Sequence, residues 1–445
     1  MSRWCLIAVV GWACAAATHS TDAADARTLD AGDAPTRQLA IAAVAEATAL
    51  GFGNNHSLFV QSDGTAIVAL HARDHGAHFN NEVLRSSGAW NSGQPYRQVF
   101  LAAADGIQQS AAIAVAPDGS AHLVWAAAQS ADVAHQLGYA RVGAAMAIQE
   151  QVTPLKITGF ASVYAAPYPT DEAWQEHPSA LLALDGTLHV VWEGRDARRV
   201  DDKGVPVSAI AYVARDSAGR WNARGEIATP PYVSPPDSTT RQMRPSLVAT
   251  PKGVEILCTS IAVRGVAHVQ VGSLTTPFTD IPGAHGDQRH IAGAVDSAGR
   301  LHVVWREGSP AGPSVVRYAL RDADVWSTPV TLSTAGQFAS TPTIAVDETT
   351  VHVAWVEWPS GTNNSLGQMN NGYPDDDGAV EGGLFVASAP IGSTSFTDGT
   401  LFAKAPAAGP VFARGRVGML AWLSGTNALC PQDGSCVSVL LGVVP

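Results

Sequence analysis

Apolar residues in this chain fall into short runs, paired across a tight polar turn, and the pair recurs along its length. The clearest copies are His177-PSALLALDGTLHVVW-Glu193 and Arg289-HIAGAVDSAGRLHVVW-Arg306. Ser110-AAIAVAPDGSAHLVW-Ala126 and Thr341-PTIAVDETTVHVAW-Val356 follow the same scheme. Looser copies start at His56, Arg244 and Gly409, which makes seven. Two apolar runs joined by an Asp-Gly type of turn are a β-hairpin signature. Both runs lack clean alternation, as expected of strands covered on both faces. The turn glycines Gly64, Gly119, Gly186, Gly253 and Gly299 recur every ~45 to 70 residues, room for one four-stranded blade each. Trp125, Trp192, Trp305, Trp355 and Trp422 share one position of the second run, where packing between blades is the expected role.

A second strand pair follows in most copies, as in Ala209-IAYVARDSAGRWNA and Val315-VRYALRDADVWSTP. The last copy ends after its third strand, and the early run Gln38-LAIAAVAEA can supply the fourth. The reading is an all-β, seven-bladed β-propeller of four-stranded blades over residues 37–445, closed by N- and C-terminal strands in the last blade.

The first 26 residues read as a signal peptide and short leader. Arg3 precedes an apolar stretch, Trp4 to Ala17, that is too short to span a bilayer. Cleavage sites are offered by Ala15-Ala16-Ala17 or Ala24-Asp25-Ala26, and Cys14 offers lipid attachment as an alternative. Secretion or a periplasmic location is expected, with no transmembrane segment elsewhere. In an oxidising compartment Cys430 and Cys436 would close a hairpin, while Cys258 reads as a buried apolar residue. Net charge is −12, which argues against a nucleic-acid partner.

The turns Arg85-SSGAW, Arg215-DSAGRW and Arg321-DADVW resemble degenerate Asp boxes, Ser-x-Asp-x-Gly-x-x-Trp. That motif marks the turn between third and fourth strands in sialidase-like (BNR-repeat) propellers. The Arg289–Ser309 stretch is similar to a segment of BNR-repeat proteins that include propeller-type ulvan lyases. There a Tyr opens the inner strand and an Arg follows the second; here His290 stands at the Tyr position and Arg306 matches the Arg. The first copy loosely matches a blade with a His on either side of the hairpin, for which His56 and His71 or His75 are candidates. The Arg-Ile-Pro signature of true sialidases is missing.

In a propeller, first strands begin on the face to which second strands return. Strand entries then form a polar ring of Asn55 or His56, Ser110, His177, Arg244, Arg289 with His290, and Thr341. Second-strand exits add His71, Arg73, Glu193, Arg195, Asp196, Arg306, Glu307 and Glu357, and the long loops open on the same side. Such a ring suits an anionic polysaccharide or glycan. Arg244 and Arg306 would neutralise a uronate carboxylate, His177 or His290 would abstract the adjacent proton, and His56 would assist the leaving group. Arg289, Arg195, Glu193 and His71 would contact ligand, with Trp358 and Tyr373 as a stacking platform. A glycosidase would instead use two carboxylates from Glu193, Asp196, Glu307 and Glu357. The alternative is a non-catalytic sugar- or protein-binding scaffold of the cell envelope, in which the ring only caps the channel.

No metal or cofactor is expected. His71, His75 and His78 would suit zinc only in a helix or tight turn, and they follow a strand. Asp375 to Asp377 could bind Ca²⁺, a polar loop being the plainer reading. The sequence leaves the sugar and the oligomeric state open.

Overall fold

The computed structural model describes residues 42–47, 50, 57–73, 79–101, 107–108, 111–128, 136–152, 175–200, 206–222, 242–260, 267–270, 279–284, 288–308, 314–359, 382–415, 418–424 and 437–444. Residues 1–26, read above as a signal peptide and leader, lie outside that set, as do His56, His75, His78, Ser110, Tyr373, Asp375 to Asp377, Cys430 and Cys436. Among the described residues no helix is long and apolar enough to cross a membrane.

All seven predicted hairpins form. Their first strands are Leu58–Val60, Ala112–Val115, Gln175–Leu182, Gln242–Thr250, Gln288–Val295, Phe338–Val346 and Thr400–Phe412. Each pairs antiparallel with the strand that follows its turn. The turns close as their sequence dictates: Asp63, Asp118 and Asp185 each accept the backbone N–H two residues on, at 2.8 Å. Gly64, Gly119 and Gly186 there adopt φ of 84°, 77° and 81°, open to glycine at little cost. Successive first strands touch one another around a central channel. The ring closes where the backbone of Arg414 bonds Leu58 O and the N–H of Val60, at 3.0 and 2.8 Å. This is an all-β propeller.

The strands form six hydrogen-bonded sheets among the described residues, which corrects the expected seven separate blades. Three sheets are four-stranded, two have five strands and one has seven. The merger lies in one strand, Thr400–Phe412. Its start pairs with Gly382–Pro390 and its end with Met419–Ser424, so it serves two successive strand sets without a break in the ladder. Strand Ala42–Ala47 pairs with Val437–Val443, the predicted closure by the two chain ends.

The five tryptophans are fully buried, and each packs on the preceding strand set. Trp192, for instance, sits with Val124 and Tyr139. Leu70 and buried Cys258 take the same position in the two sets that lack the Trp. A second recurring residue, the His of the second strand, is equally structural. His122, His189 and His302 meet the hydroxyls of Tyr139, Tyr212 and Tyr318 through Nδ1 at 2.9, 2.8 and 2.7 Å, and His352 meets Ser388 at 2.9 Å.

Two buried groups in this packing set a pH dependence. Burial, aided by the Arg141 and Arg215 charges and opposed by Asp118, lowers His122 from 6.5 to about 4. The folded state refuses a proton the unfolded chain accepts, so this stability is complete above 6.5 and drains away as pH falls toward 4. Glu82 runs the other way: burial raises its carboxyl from 4.5 to about 7 against a hydrogen bond from Gln98. Its stability is complete below 4.5 and is lost as pH rises through 7. Each contribution is at most about 3 kcal/mol. The two windows overlap, so their opposite slopes nearly cancel where both groups titrate, and only variants of one group expose its share. Glu82→Gln is expected to raise the thermal unfolding midpoint at about pH 8 and leave it unchanged at about pH 4. An equal effect at both values would contradict this assignment.

Candidate functional site

Five first strands break register at the same place, between Glu176 and Ser179, Met243 and Ser246, Arg289 and Ala292, Ser340 and Thr343, and Ala408 and Val411. Each break is a β-bulge whose first residue is left-handed: His177, Arg244, His290 and Thr341, with φ of 52°, 51°, 52° and 48°. Gly409 repeats the conformation at 52°. For a non-glycine residue this conformation costs about 1–3 kcal/mol, and bulges of this kind re-aim side chains. The following residue is Pro in four of the five, Pro178, Pro245, Pro342 and Pro410. Proline has no N–H to give to a ladder and suits the unpaired position. His177, Arg244 and His290 stand on three consecutive first strands.

Glu193 makes His177 specific. Its Oε2 accepts from His177 Nδ1 at 3.0 Å, with both residues buried. That bond places a proton on Nδ1, which in the neutral ring leaves the lone pair on Nε2, the tautomer a general base needs. The next pair is built differently. Arg244 donates from Nη1 to His290 Nε2 at 3.1 Å, bridging two sheets. A guanidinium only donates, so Nε2 of His290 is the acceptor and the ring is neutral. Arg306, 2% exposed, stands opposite Arg289 in register, as Glu193 stands opposite Glu176. The two histidines thus have companions of opposite sign at equivalent places, Glu193 in one sheet and Arg306 in the other. Thr341 Oγ1 and Ser340 Oγ, both buried atoms, meet no hydrogen-bond partner among the described residues.

Other expected site residues are placed elsewhere. Glu307 accepts from Trp305 Nε1 at 3.2 Å and from Arg317 Nε at 2.9 Å. Glu357 accepts from Trp355 Nε1 at 2.9 Å and from the backbone of Thr334 at 3.2 Å. These two carboxylates anchor indoles. Trp358 is 5% exposed, and one face of its indole stacks on Phe338 at 5.6 Å. His71, Arg195 and Arg289 lie within strands Thr65–Arg73, Leu188–Val200 and Gln288–Val295; their side chains are outside the described set. Among the described residues no group of His, Cys, Asp and Glu could hold a metal ion.

The residue that sequence reasoning missed is Arg414. It lies just past a first strand, where other copies carry the acidic turn. Its guanidinium donates to the carbonyls of Ala180 and Leu247 at 2.9 and 3.0 Å, on the opposite side of the ring. Burial pushes it down to about 9, so it keeps its charge at neutral pH.

No family model and no curated protein sequence matches the chain. Solved structures do. The polysaccharide lyase Uly1 aligns with a TM-score of 0.50 at 11% identity, over 88% of this chain and 90% of that one. A Hadza microbial sialidase aligns with a TM-score of 0.46 at 11% identity, over 82% and 73%. A protein of unknown function from Dyadobacter fermentans aligns at 0.46 and 13%, over 72% and 96%. At 11% identity the Uly1 alignment shows a common fold and nothing finer. The chain is an all-β propeller whose solved structural neighbours include polysaccharide lyases and sialidases.

Proposed function

We propose that the face carrying His177, Arg244, His290 and Arg306 binds an anionic, uronate-bearing polysaccharide and cleaves it by β-elimination, in a protein exported from the cytoplasm. The observation that carries this reading is the His177–Glu193 pair standing one first strand away from the Arg244–His290 pair. Arg244, with Arg306 close along the ring, neutralises the uronate carboxylate and makes the adjacent C–H acidic. His177 takes that proton at Nε2 while Glu193 holds Nδ1–H. The electron pair forms the C=C bond as the glycosidic C–O bond breaks, the leaving oxygen takes a proton from water, and His177 returns its proton to solvent. His290, a neutral acceptor to Arg244, orients the arginine. Hydrolysis is less well supported, because it needs two facing carboxylates. Glu307 and Glu357 are engaged by indoles, and Glu193 by His177. The likeness to a polysaccharide lyase is compatible with the reading at the level of fold.

The test is a panel of uronic-acid polysaccharides incubated with the full chain, following the ultraviolet absorbance of an unsaturated uronate. Arg244→Ala is the control, expected to lower kcat/KM by about 100-fold or more through loss of a charge-assisted contact. A rise with wild type that Arg244→Ala abolishes supports the lyase. Saturable binding without product supports the non-catalytic scaffold, and neither binding nor product overturns both readings.

A further inference from the structure

We propose that Arg414 is a positioning residue for this site: a cross-channel clamp that sets the separation of the two first strands bearing His177 and Arg244. It rests on the reading of those residues as the site, and its geometry is independent of the substrate.

Arg414 is held at both ends. Its backbone bonds Leu58 O and the N–H of Val60, so it is fixed to the first strand of the ring. Its guanidinium reaches Ala180 O and Leu247 O, residues 234 and 167 positions earlier in the chain. Those carbonyls belong to strands Gln175–Leu182 and Gln242–Thr250, which lie opposite strand Thr400–Phe412 in the order of the ring. Ala180 is three residues beyond His177, and Leu247 is three beyond Arg244. At about 3.3 Å per strand residue, the fork grips both strands roughly 10 Å below the two bulges. A second tie between the same strands, Leu247 N–H to Ser179 Oγ at 3.0 Å, lies at the same level. The guanidinium is rigid and planar, and its two amino groups span two acceptors at a set distance, which a lysine ammonium does not do. Each bulge is a strained conformation that persists only when its surroundings over-determine it, and the clamp is part of those surroundings.

The test reads imidazole nitrogens directly, by NMR of the full-length protein with histidine signals assigned by single His→Gln substitutions. In wild type, His177 gives one tautomer, protonated on Nδ1. In Arg414→Met the expected result is a mixture of tautomers at His177 and a displaced Nε2 signal at His290. His189 and His302, bonded near the turn ends of their strands, are expected to be unmoved. Cooperative thermal unfolding shows that the variant is folded; if it is not, Arg414→Lys, which keeps a cation without the fork, is read in the same way. A folded variant with wild-type His177 and His290 signals overturns the clamp. With a cleaved polysaccharide in hand, kcat is expected to fall about 10- to 100-fold with KM nearly constant, the mark of misplaced groups. If wild type binds and cleaves nothing, the lyase reading fails while the histidine signals still decide the clamp.

Discussion

Replacing Arg321 by Ala is expected to cost about 3–5 kcal/mol of folding free energy, because it strands a buried carboxylate. Arg321 forks onto Glu255, Nη1 to Oε2 at 2.8 Å and Nη2 to Oε1 at 2.6 Å. The two side chains are 9% and 3% exposed. The pair joins the third strand of one sheet to the second strand of the sheet before it. Truncating the arginine leaves Glu255 desolvated, with Thr250 Oγ1 at 3.2 Å too weak a substitute. The double variant Arg321→Met, Glu255→Met is expected to recover most of the loss, since an apolar pair avoids the desolvation cost altogether. Equilibrium unfolding in urea measures both. A second inter-sheet pair, Arg215–Glu150, at 2.7 Å, is a useful contrast. Glu150 is 35% exposed, so water screens the interaction, and Arg215→Ala is expected to cost about 1 kcal/mol through that contact. A loss below about 1 kcal/mol for Arg321→Ala would refute the desolvation argument.

His177→Ala is expected to reduce elimination by about 10²- to 10⁴-fold in kcat, the range for removing a positioned general base. Glu193→Gln is the sharper variant. It keeps the shape of the side chain, but its amide can donate to Nδ1, which moves the imidazole proton to Nε2 and removes the lone pair from the reacting nitrogen. A fall of about tenfold or more in kcat with KM nearly unchanged is expected, since substrate contacts are left in place. Initial rates on the cleaved polysaccharide decide it. His177→Ala retaining activity within about threefold of wild type would transfer the base to another residue.

Arg85, Arg215 and Arg321 open the turns that resemble Asp boxes; Arg215 and Arg321 reach the preceding sheet, and Arg85 reaches the following one. Arg85 Nη1 bonds Gly119 O and its Nη2 bonds Gln61 Oε1, both at 2.8 Å, one partner in the next sheet and one in its own. The motif likeness pointed to these turns, and the arginines there fasten sheets together.

The repeat made the hairpins, the buried tryptophans and the polar strand entries legible. It did so because period and turn chemistry are local: an apolar run, an Asp-Gly turn and a second run specify antiparallel pairing wherever they occur. The aligned copies put His177, Arg244, His290 and Thr341 at one level, and the recurring proline after three of them is a bulge signal that went unread. The chain-end closure was legible from a missing strand. The six-sheet count was not, because whether Thr400–Phe412 breaks between two strand sets depends on how closely neighbouring blades approach. Nor were the pairings that decide the chemistry. Glu193 at His177 joins one hairpin, but Arg244 to His290 spans 46 residues and Arg414 spans the channel. A hairpin pattern fixes register inside one blade, whereas the side chains that meet across blades are set by the curvature of the closed ring, which exists only once every blade is in place.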